Sequence, residues 1–546
     1  WHADPSLWPV LLESGALPVV GALVATAWLA MRSLVLDGRR FRRRFPASEV
    51  STLRTLSLAA SRTSAAALAA VVLAAVAPRP PQHLAVIPEV HLPRTWLAFR
   101  AGQGASALQP PSAGRWLRWQ RAGLVPAGAD RLAARPLRHA GVPDVALPDS
   151  ATPAMPGTPE TAPPPVAAGT LRGVVLVFVE SLNAGFVDAL SGARDPPLTP
   201  ILDKWIAHPG AHVLRGYQTQ ARPTAAGLTA ALCSVLPGSF PLDTRTDRPV
   251  AAMDCLPEVL RRAGWQTELA QGSSKQYTGL ERSFRRWGFD QVWGRVDLES
   301  RYPDAPRNPW GLYDRELFDF AGTRLAAMAD SGRPFLLVLM TLDSHLPGNG
   351  RPDCEPPARW RDDPMLRGIW CADAELAALP RQLERLGLAD STLVIVTGDH
   401  AIQDTRAARA FLGPSFAGSF AELPLIWLPP PGLDLALPAE ALSGPLDLAP
   451  TLARVLGIRV GTTQWTGVDL HQPPRVGRIL PARMGIRLVG ATSAGQRATW
   501  PLARLEQRCA NGQPLFDDAD QTAPLDPCDL AAWFRWMDAL WFRDAL

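Results

Sequence analysis

LRGVVLVFVE (171–180) holds six apolar residues in a row, four of them valine, between Gly173 and Glu180. An uninterrupted apolar run of this length, rich in β-branched residues, reads as a strand buried on both faces. PFLLVLMTLD (334–343) and STLVIVTGD (391–399) have the same character, and PLIWLP (424–429) is a shorter fourth candidate. Helical patterns lie between them: TPILDKWIA (199–207), TAAGLTAALCSVL (224–236), DCLPEVLRRAG (254–264), RELFDFAGTRLAAMA (315–329) and CADAELAALPRQLERLG (371–387). Alternating strands and helices predict an α/β fold with a mainly parallel sheet sandwiched by helices.

The three strongest strands end in polar residues: Glu180-Ser181, then Thr341, Asp343 and His345, then Asp399-His400. Open parallel sheets bind ligands beyond the carboxyl ends of their strands, so these segments have a common meeting place. Glu180 and Asp399 offer hard oxygens and His400 a nitrogen, a mixture suited to zinc or manganese. In ARPTAAGLTAALC (221–233), Thr224 stands at the start of a helical pattern. Its hydroxyl would meet the positive helix end, where it can serve as a nucleophile or simply cap the helix. Thr229 lies one turn deeper.

Composition narrows the class. Of 546 residues, 47% are hydrophobic and 19% charged, which argues against wholesale disorder. The net charge is +4, and DGRRFRRRF (37–45) alone carries five arginines and one aspartate. The rest is balanced, so the broad basic face of a nucleic-acid binder is not expected. Neither a Rossmann glycine fingerprint nor a P-loop occurs, which leaves no nucleotide cofactor to expect.

The arginine patch has apolar neighbours. SGALPVVGALVATAWLAM (14–31) is uncharged, and its 18 residues would rise about 27 Å as a helix, near the hydrocarbon thickness of a bilayer. With TSAAALAAVVLAAVA (63–77) it predicts a membrane anchor over 1–78, with transmembrane helices at about 14–36 and 57–77. The other reading of 63–77 is a buried alanine-rich helix. The positive-inside rule would put the arginine loop in the cytoplasm and all that follows outside the membrane. Residues 79–168 read as a Pro/Ala-rich connector, 169–470 as the catalytic domain and 471–546 as an extension packed on it.

Six cysteines, at 233, 255, 354, 371, 509 and 528, fall in local pairs beyond the expected anchor. No CxxC is present, so zinc-ribbon and iron–sulfur spacings are excluded. Three local disulfides in an oxidising compartment fit better than buried thiols, although order alone does not choose among the connectivities.

Taken together, VVLVFVESLNAGFVD (174–188), LTPILDKW (198–205), PTAAGLTAALCSVLP (223–237), WGLYDRELFDFA (310–321), PFLLVLMTLDSHLPGNG (334–350) and STLVIVTGDHA (391–401) resemble the sulfatase-like lipid-headgroup transferases of the alkaline phosphatase superfamily. The likeness is greatest to the phosphoglycerol transferase I branch, which decorates periplasmic glucans. The resemblance implies one divalent metal, Mn or Zn, on Glu180, Thr224, Asp399 and His400. It implies that Thr224 is the nucleophile and that His345 contacts the headgroup phosphate or the leaving oxygen. It also implies a protein of the bacterial inner membrane with its catalytic domain in the periplasm, a phosphatidylglycerol donor at a lipid bilayer, a glucan or other envelope glycan acceptor, and release of diacylglycerol. Three departures stand out: Arg222-Pro223 before the nucleophile, Gly398 where relatives often have serine, and Leu346 where they often have a second histidine.

On the substrate side, Arg222, Lys275 and Arg295 are candidates for the donor phosphate. Trp293 and Trp310 are candidates for stacking on sugar rings, with ordinary packing as the other reading. Alternative activities are phosphoethanolamine transfer to lipid A or glucan, and a phosphodiesterase or sulfatase. The last would need a C/S-x-P-x-R setting that ARPTAAG lacks. A non-catalytic envelope protein is the remaining class.

Overall fold

The computed structural model describes residues 171–513 except 237–253, 277–279, 414–415, 417–420, 461–464, 473–478, 485–486 and 493–496, together with Arg115, Trp119 and 528–533. All of these lie in one compact unit, Pro88–Leu546. Its centre is a seven-stranded sheet in the order β2-β8-β7-β1-β6-β4-β5. The strands are β1 (Gly173–Val179), β2 (His212–Val213), β4 (Gln266–Gln271), β5 (Gln291–Trp293), β6 (Phe335–Met340), β7 (Thr392–Gly398) and β8 (Leu425–Leu428). The short pair β3 (Arg215–Tyr217) and β9 (Glu440–Ser443) stands beside it.

Register explains where a site can form. Gly173 on β1 is level with Phe335 on β6 and with Thr392 on β7, and all three strands are parallel. They therefore end together, with Phe178 beside Met340 and Val179 beside Gly398. The next residues, Glu180, Thr341 and Asp399, leave the sheet at one rim.

Each strand hides both faces. Val174, Leu176 and Phe178 pack in one core and Val175, Val177 and Val179 in the other, as period-2 alternation requires. The first core is covered by helices α2 (Thr224–Cys233) and α5 (Leu448–Val455). The second is covered by α1 (Pro200–Ile206), α3 (Asp314–Asp330) and α4 (Pro364–Leu376). Helix α4 begins seven residues before the apolar pattern suggests, because Asp363 caps it by accepting from the Met365 and Leu366 amides.

The sheet is mainly parallel, as expected, and mixed only at one edge, where β8 runs antiparallel to β7 and β2 antiparallel to β8. One expectation is corrected. Among the described residues no helix is long and apolar enough to cross a membrane. The longest, α3, has 17 residues, and it carries Asp314, Arg315, Glu316, Asp319, Arg324 and Asp330. The segments expected to span a membrane, 14–36 and 57–77, lie outside the described residues, so the transmembrane fold and the inner-membrane placement have no support in the structure.

The cysteines pair locally as Cys233–Cys255, Cys354–Cys371 and Cys509–Cys528. A second sheet, β10 (Ile479–Met484), β11 (Arg487–Thr492) and β12 (Arg497–Pro501), is antiparallel throughout. Gln220 Nε2 donates to the Pro481 carbonyl at 2.7 Å, joining that sheet to the segment leading into Thr224. Trp119 is buried and donates to the Asp529 carbonyl at 3.0 Å.

Candidate active site

The rim brings four of the expected residues together. Glu180, Asp399 and His400 are buried, and each offers a ligand atom within 4.8 Å of the others. Thr224 is the first residue of α2, and its hydroxyl donates to Glu180 Oε2 at 3.0 Å and lies 3.3 Å from His400 Nε2.

Local contacts fix each group. The Glu180 amide donates to Thr341 Oγ1 at 3.0 Å, and the Ser344 hydroxyl donates to the Glu180 carbonyl at 2.6 Å. The loop after β6 thus clamps the end of β1. Asp399 Oδ1 accepts from the Ser181 and His400 amides, both at 2.8 Å. Gly398 has a steric reason: a Cβ there would lie 2.3 Å from the Leu182 carbonyl oxygen. The serine that the resemblance implies at this position would not fit this approach of β7 to the turn after β1.

The His400 ring is oriented by its Nδ1, 2.9 Å from the Ala401 carbonyl. That acceptor keeps the proton on Nδ1 and turns the Nε2 lone pair toward the carboxylates, as a metal-ligating histidine needs. Nε2 lies 3.4 Å from Asp399 Oδ2 and 3.6 Å from Glu180 Oε1.

These residues fit a divalent cation. Asp399 Oδ2 is buried and has no hydrogen-bond partner among the described residues. Two carboxylates and an imidazole in a dry setting leave negative charge for a cation to neutralise. The chain alone cannot satisfy that charge: burial and the neighbouring Glu180 push the Asp399 carboxyl up to about 7. Burial also raises Glu180, but His400, His345 and hydrogen bonds from Ser181 and Thr224 outweigh it and hold it low. Burial disfavours the charged His400 ring, while the two carboxylates overcome it and raise the ring.

Two further expected residues meet beside the cluster. His345 Nδ1 faces the Leu346 carbonyl at 2.9 Å, which leaves Nε2 for other work, and the ring centre is 4.5 Å from that of Trp310. The charge of Arg222 disfavours protonation of His400. Lys275, Arg295 and Trp293 are not brought to the cluster by any contact among the described residues. Lys275 pairs with Asp297 at 2.8 Å, and Arg295 pairs with Glu299 at 2.8 Å. Trp293 donates to Glu268 at 2.7 Å and packs edge-on against Phe320. They belong to the β5 edge, three strands from β1, or about 14 Å at the usual strand spacing.

Sequence reasoning named Ser181 and Thr341 only as polar strand ends and passed over Ser344 and Gly227, all of which bear on the geometry of this cluster. Ser344 adjoins His345 and Gly227 lies one turn after Thr224, which were the only signals available.

Comparison with known proteins agrees with this geometry. The Sulfatase family model matches residues 172–458, just over half of the chain. Phosphoglycerol transferase I of Escherichia coli O139:H28 is 26% identical over 250 residues, covering 43% of this chain and 31% of the relative. The Salmonella arizonae protein of that name is 25% identical over 248 residues, with the same coverages. The matched stretch thus spans about a third of the length of these curated relatives, 31%. Among solved structures, an alkaline phosphatase superfamily protein from Vibrio parahaemolyticus superposes with a TM-score of 0.52 at 17% identity, covering 70% of this chain and 88% of that one. A lipoteichoic acid synthase from Listeria monocytogenes gives 0.53 at 16% identity, covering 70% and 93%. These two likenesses bear on the fold. The family match establishes that the chain belongs to the sulfatase family, as a domain related at modest identity to bacterial phosphoglycerol transferase I.

Proposed function

We propose that this chain transfers a phosphoglycerol group from phosphatidylglycerol to a hydroxyl of an envelope glucan, through a covalent intermediate on Thr224. The observation that carries the reading is the Thr224 hydroxyl, 3.0 Å from Glu180 and 3.3 Å from His400 at the start of a ten-residue helix. A helix start favours a bound phosphate through its unpaired amides and its dipole. Glu180, Asp399, His400 and Thr224 would hold one Zn or Mn ion, which would stabilise negative charge on the phosphate and on the attacking oxygen.

In the first step the Thr224 oxygen attacks phosphorus and gives its proton to water. The bond from phosphorus to the diacylglycerol oxygen breaks, and that oxygen takes a proton from His345 Nε2. In the second step a glucan hydroxyl gives its proton to His345 and attacks phosphorus. The bond from Thr224 to phosphorus breaks, and the threonine oxygen takes a proton back from water, which re-forms the hydroxyl. His345 suits both roles because its Nδ1 is turned to a carbonyl and only Nε2 exchanges a proton. Trp310, packed against the His345 ring, gives the headgroup or the incoming sugar an apolar wall.

Mass spectrometry of the full chain after exposure to phosphatidylglycerol and Zn²⁺ or Mn²⁺ tests this. A phosphoglycerol adduct is expected on Thr224 and absent from Thr224→Ala. An adduct on another residue overturns the nucleophile. Capture of ethanolamine phosphate alone, from phosphatidylethanolamine offered in parallel, overturns the headgroup.

A further inference from the structure

Ser181 has a φ of +56°, in the left-handed region that a residue with a Cβ seldom adopts. It is buried, and that backbone shape lets it touch both carboxylates at once. Its amide donates to Asp399 Oδ1 at 2.8 Å and its hydroxyl donates to Glu180 Oε1 at 2.6 Å. Glu180 itself is pinned at both ends of its backbone by Thr341 and Ser344. One oxygen of each acid is thereby engaged by the same residue. The second oxygens face the functional groups: Glu180 Oε2 meets Thr224, and Asp399 Oδ2 lies 3.4 Å from His400 Nε2.

Two buried carboxylates repel, and left free to rotate they would turn apart. A cation arriving at such a site would have to draw them together and would bind more weakly. We propose that Ser181 is a positioning residue that sets the metal affinity of the site, by holding both carboxylates in one mutual orientation before the ion arrives. This inference rests on the reading of Glu180, Asp399 and His400 as metal ligands. A residue in strained backbone at a functional rim is where such a role is found, and partners of metal ligands tune affinity by about tenfold to a hundredfold.

Two variants separate the hydroxyl from the backbone shape. Ser181→Ala removes the bond to Glu180 and keeps the amide and the strain. Ser181→Gly removes the same bond and relieves the strain. The test is calorimetric titration of the metal-stripped full chain with Zn²⁺, beside thermal unfolding without metal. Both variants are expected to bind Zn²⁺ about tenfold to a hundredfold more weakly than the unsubstituted chain. Without metal, Ser181→Gly should unfold at a higher temperature than Ser181→Ala. If Ser181→Ala fails to fold, Ser181→Gly decides alone, because glycine takes the same φ without penalty. Binding by the folded variants within about twofold of the unsubstituted chain, well short of the expected change, overturns the inference and leaves the metal site standing. No Zn²⁺ binding by the unsubstituted chain overturns both.

Discussion

A Cβ on Gly227 would stand 2.1 Å from the carbonyl oxygen of Asp399. No real contact is that short, so α2 seats on the end of β7 only because residue 227 has no side chain. Thr224 is one turn earlier on α2, and Asp399 and His400 follow β7. The Gly227 contact therefore sets how near the hydroxyl comes to the cluster. The obstacle is backbone, which cannot swing aside. Gly227→Ala is expected to destabilise the fold by about 1–3 kcal/mol through overpacking, measured by denaturant unfolding. Activity should fall further, on the order of a hundredfold, as a misplacement near 1 Å does for a reacting group. Unaltered turnover in a folded Gly227→Ala would show that α2 can move without carrying Thr224 away.

His345 is expected to matter in proportion to the leaving group. Its Nδ1 is occupied by the Leu346 carbonyl, so Nε2 is the nitrogen available to protonate a departing alkoxide. His345→Ala should lower transfer from a phospholipid donor by about 10²–10⁴-fold, the usual worth of general acid–base catalysis. With a p-nitrophenyl phosphodiester, whose leaving group departs without a proton, the defect in forming the Thr224 adduct should largely vanish. An equal loss with both donors would mean that His345 binds the phosphate and does not move a proton.

The four strands with continuous apolar runs, β1, β6, β7 and β8, could be read from sequence because burial on both faces leaves no room for polar residues. Strand β4, QTELAQ, could not. It is almost wholly buried, yet Glu268 sits in it against Arg324, 56 residues away, at 2.8 Å. Such pairing is invisible until the fold brings the partners together. The same holds for Lys275, which reads as a candidate phosphate contact and is held by Asp297, 22 positions on. The rim residues were easier, since strand ends and motif order both point at them. What holds the rim residues in place was not legible. The left-handed turn at Ser181 and the clearance at Gly227 are properties of backbone approach, and a serine or a glycine in isolation predicts neither.

The buried pair Asp314 and Asp343 makes stability depend on pH. Asp314 Oδ1 and Oδ2 accept from the Leu342 and Asp343 amides at 2.6 and 3.1 Å, and Asp343 Oδ1 accepts from the Asp314 amide at 3.2 Å. This fastens the start of α3 to the loop that carries His345. Burial pushes the Asp314 carboxyl up to about 7, and Glu375 and Glu180 add to the rise. Burial, then the Asp314 charge, raises Asp343 well above the ordinary carboxylate range, with Glu375 and Glu316 adding to it. The fold therefore holds protons that the unfolded chain has lost above pH ~4. The contribution is fully present below that value and is lost as pH climbs toward and through about 7. The melting temperature of the metal-free chain should fall between about pH 5 and about pH 8. Asp343→Asn removes one charge and keeps an oxygen for the Asp314 amide, so it should flatten that fall. An unchanged slope in Asp343→Asn would place the titration elsewhere.

The disulfides should separate stability from activity. Cys233–Cys255 ties the end of α2 to the helix at Leu256–Arg262 and closes 22 residues of chain, and both cysteines are fully buried. Closing a loop of that length is worth about 3 kcal/mol. Cys354–Cys371 closes 17 residues, and Cys354 keeps 9% of its surface. It joins the loop downstream of His345 to α4. Mild reductant should therefore open the more exposed Cys509–Cys528 and then Cys354–Cys371 before it reaches Cys233–Cys255. Alkylation followed by mass spectrometry should find labels there while Cys233 and Cys255 stay unlabelled. At that stage the loop bearing His345 is loosened and the sheet core is intact, so transfer should drop before the unfolding transition moves. Stronger reductant, opening Cys233–Cys255, should then lower stability by about 3 kcal/mol. If stability and activity decline together once Cys354 and Cys371 are labelled, that bridge is part of the core and has no separate hold on the His345 loop.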